Sequence, residues 1–520
     1  MKYFGWIFLF FIVMFIIPLA SRPMVSPFEF ADAIPALEMV QSGAYGIVPG
    51  NPAEPPMTHW ITAASYNLFG INTFSVRLPA ALAAGITALL IALLIQQHLR
   101  DEKLAALSAT IYIAFASVFI YGTIALPVMF SVMAAAGSLG CMFRAVQELK
   151  FNRRKFLLSV LSGLFAAILI LSAGIYSLII PVAIMLIYLI IAKKLKELLF
   201  ITLPFLVFSV LPVIPWGLNL YFMPELLDEF ITFKSNCFPW YIYIFVIING
   251  LFPVWILIPA SLMTGRESWK RLWNQPLCKF ACCAAFFPLI YALALRNIHP
   301  SALQITFPAF AILIALGLQA YFNNGGHHRS FDWMINIWAV ILLVFGIAEV
   351  VLWFLPAFTE PFFAISPLKP VVLLSLGVSS LLGGGALLYS LRGNWRSRLY
   401  LFFFSVAILP LGFSWGIKNN VYMPETEFRM FITQLDIIPE KSLFFAEEED
   451  IPALQWCTGE KINSVDCGCD LLNMIESTGK NSYLIVKKDS PLLEKFQIKS
   501  ENITSGSDFV CVKFLPGDGK

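Results

Sequence analysis

The feature that most constrains this chain is a repetition. Runs of apolar residues follow one another, with short polar breaks, from the N-terminus to about residue 417. They are Phe4–Ala20, Arg77–His98, Leu104–Tyr121, Ile124–Val146, Phe156–Ala173, Ile175–Ala192, Leu198–Leu218, Trp240–Met263, Leu277–Leu295, Ala302–Phe322, Met334–Leu355, Pro370–Leu391 and Leu399–Ile417. A helix rising about 1.5 Å per residue needs about 20 apolar residues to cross a hydrocarbon layer of about 30 Å. About thirteen membrane helices are therefore expected. Charged residues make up 13% of the 520-residue chain. That is too little charge to cover a soluble protein of this size, for which about a quarter is usual. Phe4–Ala20 has no convincing small-x-small cleavage site after it and reads as an uncleaved signal anchor.

Lys and Arg fix an orientation. With the N-terminus inside, the inner connections hold Lys2; Arg100 and Lys103; Lys150, Arg153, Arg154 and Lys155; Lys193, Lys194 and Lys196; Arg266, Lys270 and Arg271; Arg329; and Arg392, Arg396 and Arg398. The short outer connections hold little beyond Arg22, Lys234 and Arg296. This positive-inside pattern predicts a cytoplasmic N-terminus and puts the first long loop and the C-terminal part outside. A net charge of +3, spread through short loops, gives no patch for nucleic acid.

Two segments break the repetition. The first is the loop 21–76, too long for a plain turn and therefore expected to be functional. It carries Glu29, Asp32 and Glu38, a Gly/Pro-rich crossing from Gly43 to Pro56, and His59-Trp60. The second is the tail 418–520, where charge returns to ordinary frequency. Ser442–Ala446, Ser482–Val486 and Asp508–Phe514 read as strands, and Glu449–Trp456, Asp470–Glu476 and Pro491–Phe496 as helices, which predicts a small α/β domain. Its four cysteines, Cys457, Cys467, Cys469 and Cys511, allow two disulfides in any of three pairings. They lack a C-x-x-C pair, and no His/Asp cluster with metal spacing is evident, so no metal or other cofactor is expected.

The residues then resemble a family: polyprenyl-phosphate-sugar-dependent membrane glycosyltransferases of the GT-C type, and among them the aminoarabinose transferases and protein O-mannosyltransferases. The resemblance is carried by Glu29 through Glu38-Met39, Ser42-Gly43, Pro55-Pro56 followed by Trp60, Leu68-Phe69-Gly70 and Arg77-Leu78-Pro79. It continues through Pro215-Trp216, Phe238-Pro239-Trp240-Tyr241 with Gly250 and Pro253, and a helix after Pro300 that contains Pro308. It implies a GT-C transmembrane domain over 1–417 and an extracytoplasmic domain over 418–520 in a bacterial-type inner membrane. It also implies a polyprenyl-phosphate sugar donor and an envelope lipid, glycan or protein as acceptor.

Several family charges are replaced. The presumed catalytic Asp is Phe28, a Lys before Pro-Pro is Glu54, an acidic residue before a Pro is Leu126, and a Lys before Gly is Ala173. Glu29 and Asp32, about one helical turn apart, are then the candidate catalytic carboxylates. Acids are also favoured at the start of a helix for its dipole alone. His59, Arg77, Lys234, Arg296 and His299 are the candidates for holding a phosphate, with Arg77 alternatively paired to a loop carboxylate and His59 alternatively part of an interfacial aromatic belt. The alternative to a transferase is an inactive relative that binds polyprenyl lipid or partners an active enzyme. A transporter fits less well, since few charges lie in the spans.

Overall fold

The computed structural model describes residues 2–20, 24, 28–51, 54–148, 150, 152–221, 238–263, 266–296, 298–323, 328–353, 370–389, 395–420, 428, 431–433, 442–446, 450–459, 462–464, 481–487, 503–505 and 509–514. Among them, seven helices are long and apolar enough to cross a membrane, and nine if two bent pairs each count as one span. Four shorter apolar helices, Gly5–Ala20, Ile175–Ile191, Leu374–Tyr389 and Ser397–Gly412, fall in the remaining apolar runs.

The elements that frame the site are few. Helix α1 is Lys2–Phe11, α2 is Phe28–Ser42 and α3 is Met57–Phe69. Then come α4 (Thr73–Leu99), α5 (Glu102–Ile113), α6 (Ala116–Thr123), α7 (Val128–Gln147), α8 (Arg153–Ala173) and α9 (Ile179–Ile191). The first loop is thus folded, with α2 and α3 on either side of its Gly/Pro crossing. Asn72 starts α4 with a capping box: its side chain accepts from the Ser75 N–H at 2.9 Å, and the Ser75 hydroxyl accepts from the Asn72 N–H at 3.1 Å. Two orphan amides at a helix start are satisfied this way.

One expected span, Leu104–Tyr121, is broken. Helices α5 and α6 meet at a bend of 65°, and Trp240–Gly250 meets Val254–Leu262 at 78°. The two breaks support each other, because the Ala116 N–H donates to the Phe252 carbonyl at 2.7 Å. Irregular backbone at membrane depth is tolerated where protein satisfies it. No hydropathy profile could show this pairing.

Close helix packing rests on small residues. A Cβ on Gly163 of α8 would stand 2.6 Å from the Phe205 carbonyl oxygen and 3.0 Å from the Phe208 Cβ. Both belong to the helix Leu198–Val210, whose backbone cannot yield locally. Without a hydrophobic force between helices in lipid, such approach is what holds them. Gly163→Leu is expected to cost about 1–3 kcal/mol, read as a lower melting temperature in detergent.

The C-terminal part forms a five-stranded sheet in the order β2-β1-β3-β5-β4. Its strands are β1 (Ser442–Ala446), β2 (Asn463–Ser464), β3 (Asn481–Lys487), β4 (Ile503–Ser505) and β5 (Phe509–Phe514). β1 pairs in parallel with β2 and β3, while β5 runs antiparallel to β3 and β4. The predicted helix after β1 is Ile451–Thr458. The helices expected at Asp470–Glu476 and Pro491–Phe496, and Cys467 and Cys469, lie outside the described residues, while Cys511 is buried on β5. The sheet does not stand apart. Phe444, Leu454, Trp456 and Ile485 share one apolar cluster with Phe30, Leu37, Met39 and Tyr66 of the first loop. Gln41 donates to the Gly459 carbonyl at 2.6 Å, and Gln455 donates to Glu38 at 2.8 Å.

Candidate active site and apolar groove

Glu29 sits in the first turn of α2, as the sequence suggests, but its partner decides its chemistry. Arg77 Nε donates to Glu29 Oε1 at 2.7 Å and Arg77 Nη2 to Oε2 at 2.7 Å, a bidentate pair in which both side chains are fully buried. The Ala125 N–H also donates to Oε1 at 3.0 Å, and Arg77 Nη1 donates to the Leu19 carbonyl at 3.0 Å. One ion pair therefore ties together the end of the first apolar segment, the first loop, α4 and the α6–α7 junction. A carboxylate held by a guanidinium and an amide is a poor proton acceptor. The expectation that Glu29 acts as catalytic carboxylate does not suit this geometry; of the two roles weighed for Arg77, pairing with a loop carboxylate is the one observed.

Asp32, one turn on, has a different environment. It is nearly buried, and desolvation pushes its carboxyl up to about 7; nearby His59 opposes this and Glu54 adds to it. His59 is completely buried within α3, not part of an interfacial belt. Its Nδ1 lies 3.3 Å from the Asp32 carbonyl oxygen. Its Nε2 lies 3.5 Å from Glu54 Oε1 and 3.9 Å from Asp32 Oδ1. Burial works against a charged imidazole, but the Glu54 and Asp32 carboxylates outweigh it and hold His59 above its ordinary value. The reading that no His/Asp cluster exists is corrected here. Chain separation hid it: Asp32, Glu54 and His59 meet only because α2 folds back on α3.

Asp32 also faces a cavity of about 10 Å³, shared with Thr58, Thr62, Leu126 and Phe130. On the other side of the same first turn of α7 lies a larger cavity of about 300 Å³. Its walls come from the start of α7, the end of α8, the segment 176–180 leading into α9, Tyr291 and residues 298–305. They are mostly apolar, with the hydroxyls of Ser131, Ser172, Ser177, Ser301, Tyr176 and Tyr291 and the His299 imidazole as the polar groups. Gly174 shapes the rim: its φ of +78° turns the chain sharply out of α8, and its carbonyl accepts from the Ser177 hydroxyl at 2.5 Å. Only glycine adopts that backbone without strain.

His299 lines this cavity, and its Nδ1 accepts from the Ser301 N–H at 3.3 Å. Burial pushes its imidazole down, which favours the neutral ring. Arg296 is exposed and ends the helix Pro276–Leu295 in a left-handed turn; it does not line the cavity. Lys234 lies outside the described residues. Among the seven candidates, then, the structure brings Glu29 to Arg77 and Asp32 to His59, and leaves His299 and Arg296 apart from both pairs. Glu54 and the groove hydroxyls were not foreseen, since serines in apolar helices carry no pattern of their own.

A family model described as dolichyl-phosphate-mannose-protein mannosyltransferase matches residues 53–216, the stretch that includes α3, α4, α7 and α8. The undecaprenyl phosphate-alpha-4-amino-4-deoxy-L-arabinose arabinosyl transferase of Shewanella sediminis is 26% identical over 374 residues, covering 68% of this chain and 67% of its own length. The protein of the same name from Photorhabdus laumondii is 25% identical over 355 residues, covering 65% of this chain and 63% of its own length. The crystal structure of ArnT from Cupriavidus metallidurans bound to undecaprenyl phosphate superposes with a TM-score of 0.77 at 17% identity, over 98% of both chains. Its apo state gives 0.74. The chain is similar in sequence to the aminoarabinose transferases over about two thirds of its length, and it shares the fold of ArnT.

Proposed function

We propose that this protein transfers a sugar from a polyprenyl-phosphate donor to an acceptor of the cell envelope, on the outer face of a bacterial-type inner membrane. The observation that carries the reading is the groove of about 300 Å³ beside the first turn of α7. Its apolar walls suit an isoprenoid chain, and the hydroxyls that line it suit the phosphate end. The similar ArnT was solved with undecaprenyl phosphate, which supports the same class of lipid here. Thirteen crossings, a cytoplasmic N-terminus, and an outer sheet over 418–520 that docks on the first loop complete the arrangement; the positive-inside pattern supports it.

The acceptor follows from what the site lacks. With Phe28 at the family's Asp position and Glu29 committed to Arg77, neither position is free to take a proton from a neutral hydroxyl, and Asp32 lies nearly buried beside His59. An acceptor that is already ionised, a phosphate on an envelope lipid, needs no base. Incubating the purified protein with polyprenyl-phosphate pentose or hexose and phosphorylated or dephosphorylated acceptor lipid tests this. Sugar transfer to the phosphorylated lipid alone is expected, and transfer to neither contradicts it. The second reading, a polyprenyl-lipid binder without turnover, is favoured by one observation, the neutralised Glu29–Arg77 pair.

A further inference from the structure

A second cavity, of about 190 Å³, shares no lining residue with the groove. It lies among α1, α5 and the helix Trp395–Asn420. Lys103 and Tyr400 are its exposed members, and Ala106, Thr110 and Phe403 are buried. Along α5 the lining runs from Lys103 in the first turn to Thr110, about 10 Å at about 1.5 Å per residue. The Thr110 hydroxyl already donates to the Ala106 carbonyl at 2.9 Å, so the deep end is apolar in effect. Aromatic contacts fix the walls: Trp6 meets Tyr400 edge-on at 5.7 Å, and Trp395 stacks on Phe322 at 3.9 Å. Atoms lining an empty apolar space forgo their dispersion contacts, and a hydrocarbon chain restores them.

The charge says which chain. Other cations on this face are spent: Arg398 pairs with Asp332, Lys155 with Glu197 and Arg154 with Glu148. Among the described residues, Lys103 pairs with no carboxylate, and the neighbouring Asp101 carboxylate caps α5 and accepts from Gln319. We propose that the cavity binds an anionic glycerophospholipid, with one acyl chain between the helices and the phosphate at Lys103. Basic pockets between membrane helices take anionic head groups in this way. Trp395 and Tyr400 supply the amphipathic rings that sit at head-group level. The positive-inside pattern makes this the inner leaflet; that leaflet rests on the orientation proposed above, and the binding does not.

The full-length protein in detergent is titrated with dioleoylphosphatidylglycerol and, separately, with dioleoylphosphatidylcholine, and bound lipid is counted by native mass spectrometry. One phosphatidylglycerol per chain is expected, held about fivefold more tightly than phosphatidylcholine, the worth of one lysine beside an anionic head group. Lys103→Gln should abolish that preference with no change in melting temperature without lipid. Leu107→Trp fills the cavity from a half-buried position and should weaken both lipids about tenfold. Equal binding of the two lipids by the wild type, or a preference that survives Lys103→Gln, overturns the proposal. Displacement of phosphatidylglycerol by equimolar polyprenyl phosphate overturns it too, since the cavity would then be a second site for the donor lipid. Failure here leaves polyprenyl-phosphate binding in the groove intact, and Ser131→Trp, which blocks the groove, should leave phosphatidylglycerol binding unchanged.

Discussion

Arg77→Met is expected to destabilise the protein by about 3–5 kcal/mol, because it strands Glu29 as an unpaired charge in a site with no water to reach it. Methionine keeps the length and apolar stem of the arginine, so the loss is electrostatic and not a cavity. The Leu19 carbonyl loses its donor as well, at about 1–3 kcal/mol for an unsatisfied buried group. Glu29→Gln is expected to destabilise through the same pair from its other side. The double variant Glu29→Leu, Arg77→Leu should be milder than either single change, since removing both charges also removes the desolvation penalty. A double-mutant cycle on melting temperature in detergent reads the coupling. If Glu29→Gln leaves melting unchanged and abolishes turnover alone, the pair is not the tie described here and Glu29 returns as a catalytic group.

Ser131→Trp on one wall of the groove, and Ala302→Trp on another, are expected to weaken polyprenyl-phosphate binding at least tenfold, about 1.4 kcal/mol or more. Both residues are only half-buried and line the space, so the indole enters the cavity in place of the lipid. Melting without lipid should stay close to the wild type, and the stabilisation that added lipid gives should shrink. Equal lipid-induced stabilisation in wild type and both variants would mean that the lipid binds elsewhere.

Seven of the spans, nine with the bent pairs, were legible because hydrocarbon imposes a length and a composition that few soluble sequences meet. The strands Ser442–Ala446 and Phe509–Phe514 were legible from their aromatic and β-branched runs, whereas β2 and β4 were too short to leave a pattern. In the first loop the sequence marked residues that the fold brings together and left their partners open. Glu29 and Arg77 are 48 positions apart, and Asp32 and His59 are 27 apart. Nothing local fixes which acid meets which base; the α2–α3 packing does. Glu54 stood out only as a charge of unexpected sign, and its place beside His59 required the fold. The bend between α5 and α6 was hidden because it is satisfied by Phe252, far along the chain.

The most direct test of the account is a mass-spectrometric comparison of envelope lipids and glycans. The strains are a deletion, and the same deletion carrying wild-type protein or Ser131→Trp. A pentose- or hexose-sized increment on a phosphorylated envelope lipid is expected to vanish in the deletion, return with the wild type, and stay absent with the blocked groove. Identical spectra in all strains, with the purified protein still binding polyprenyl phosphate, would contradict sugar transfer and leave a lipid-binding protein on a transferase scaffold.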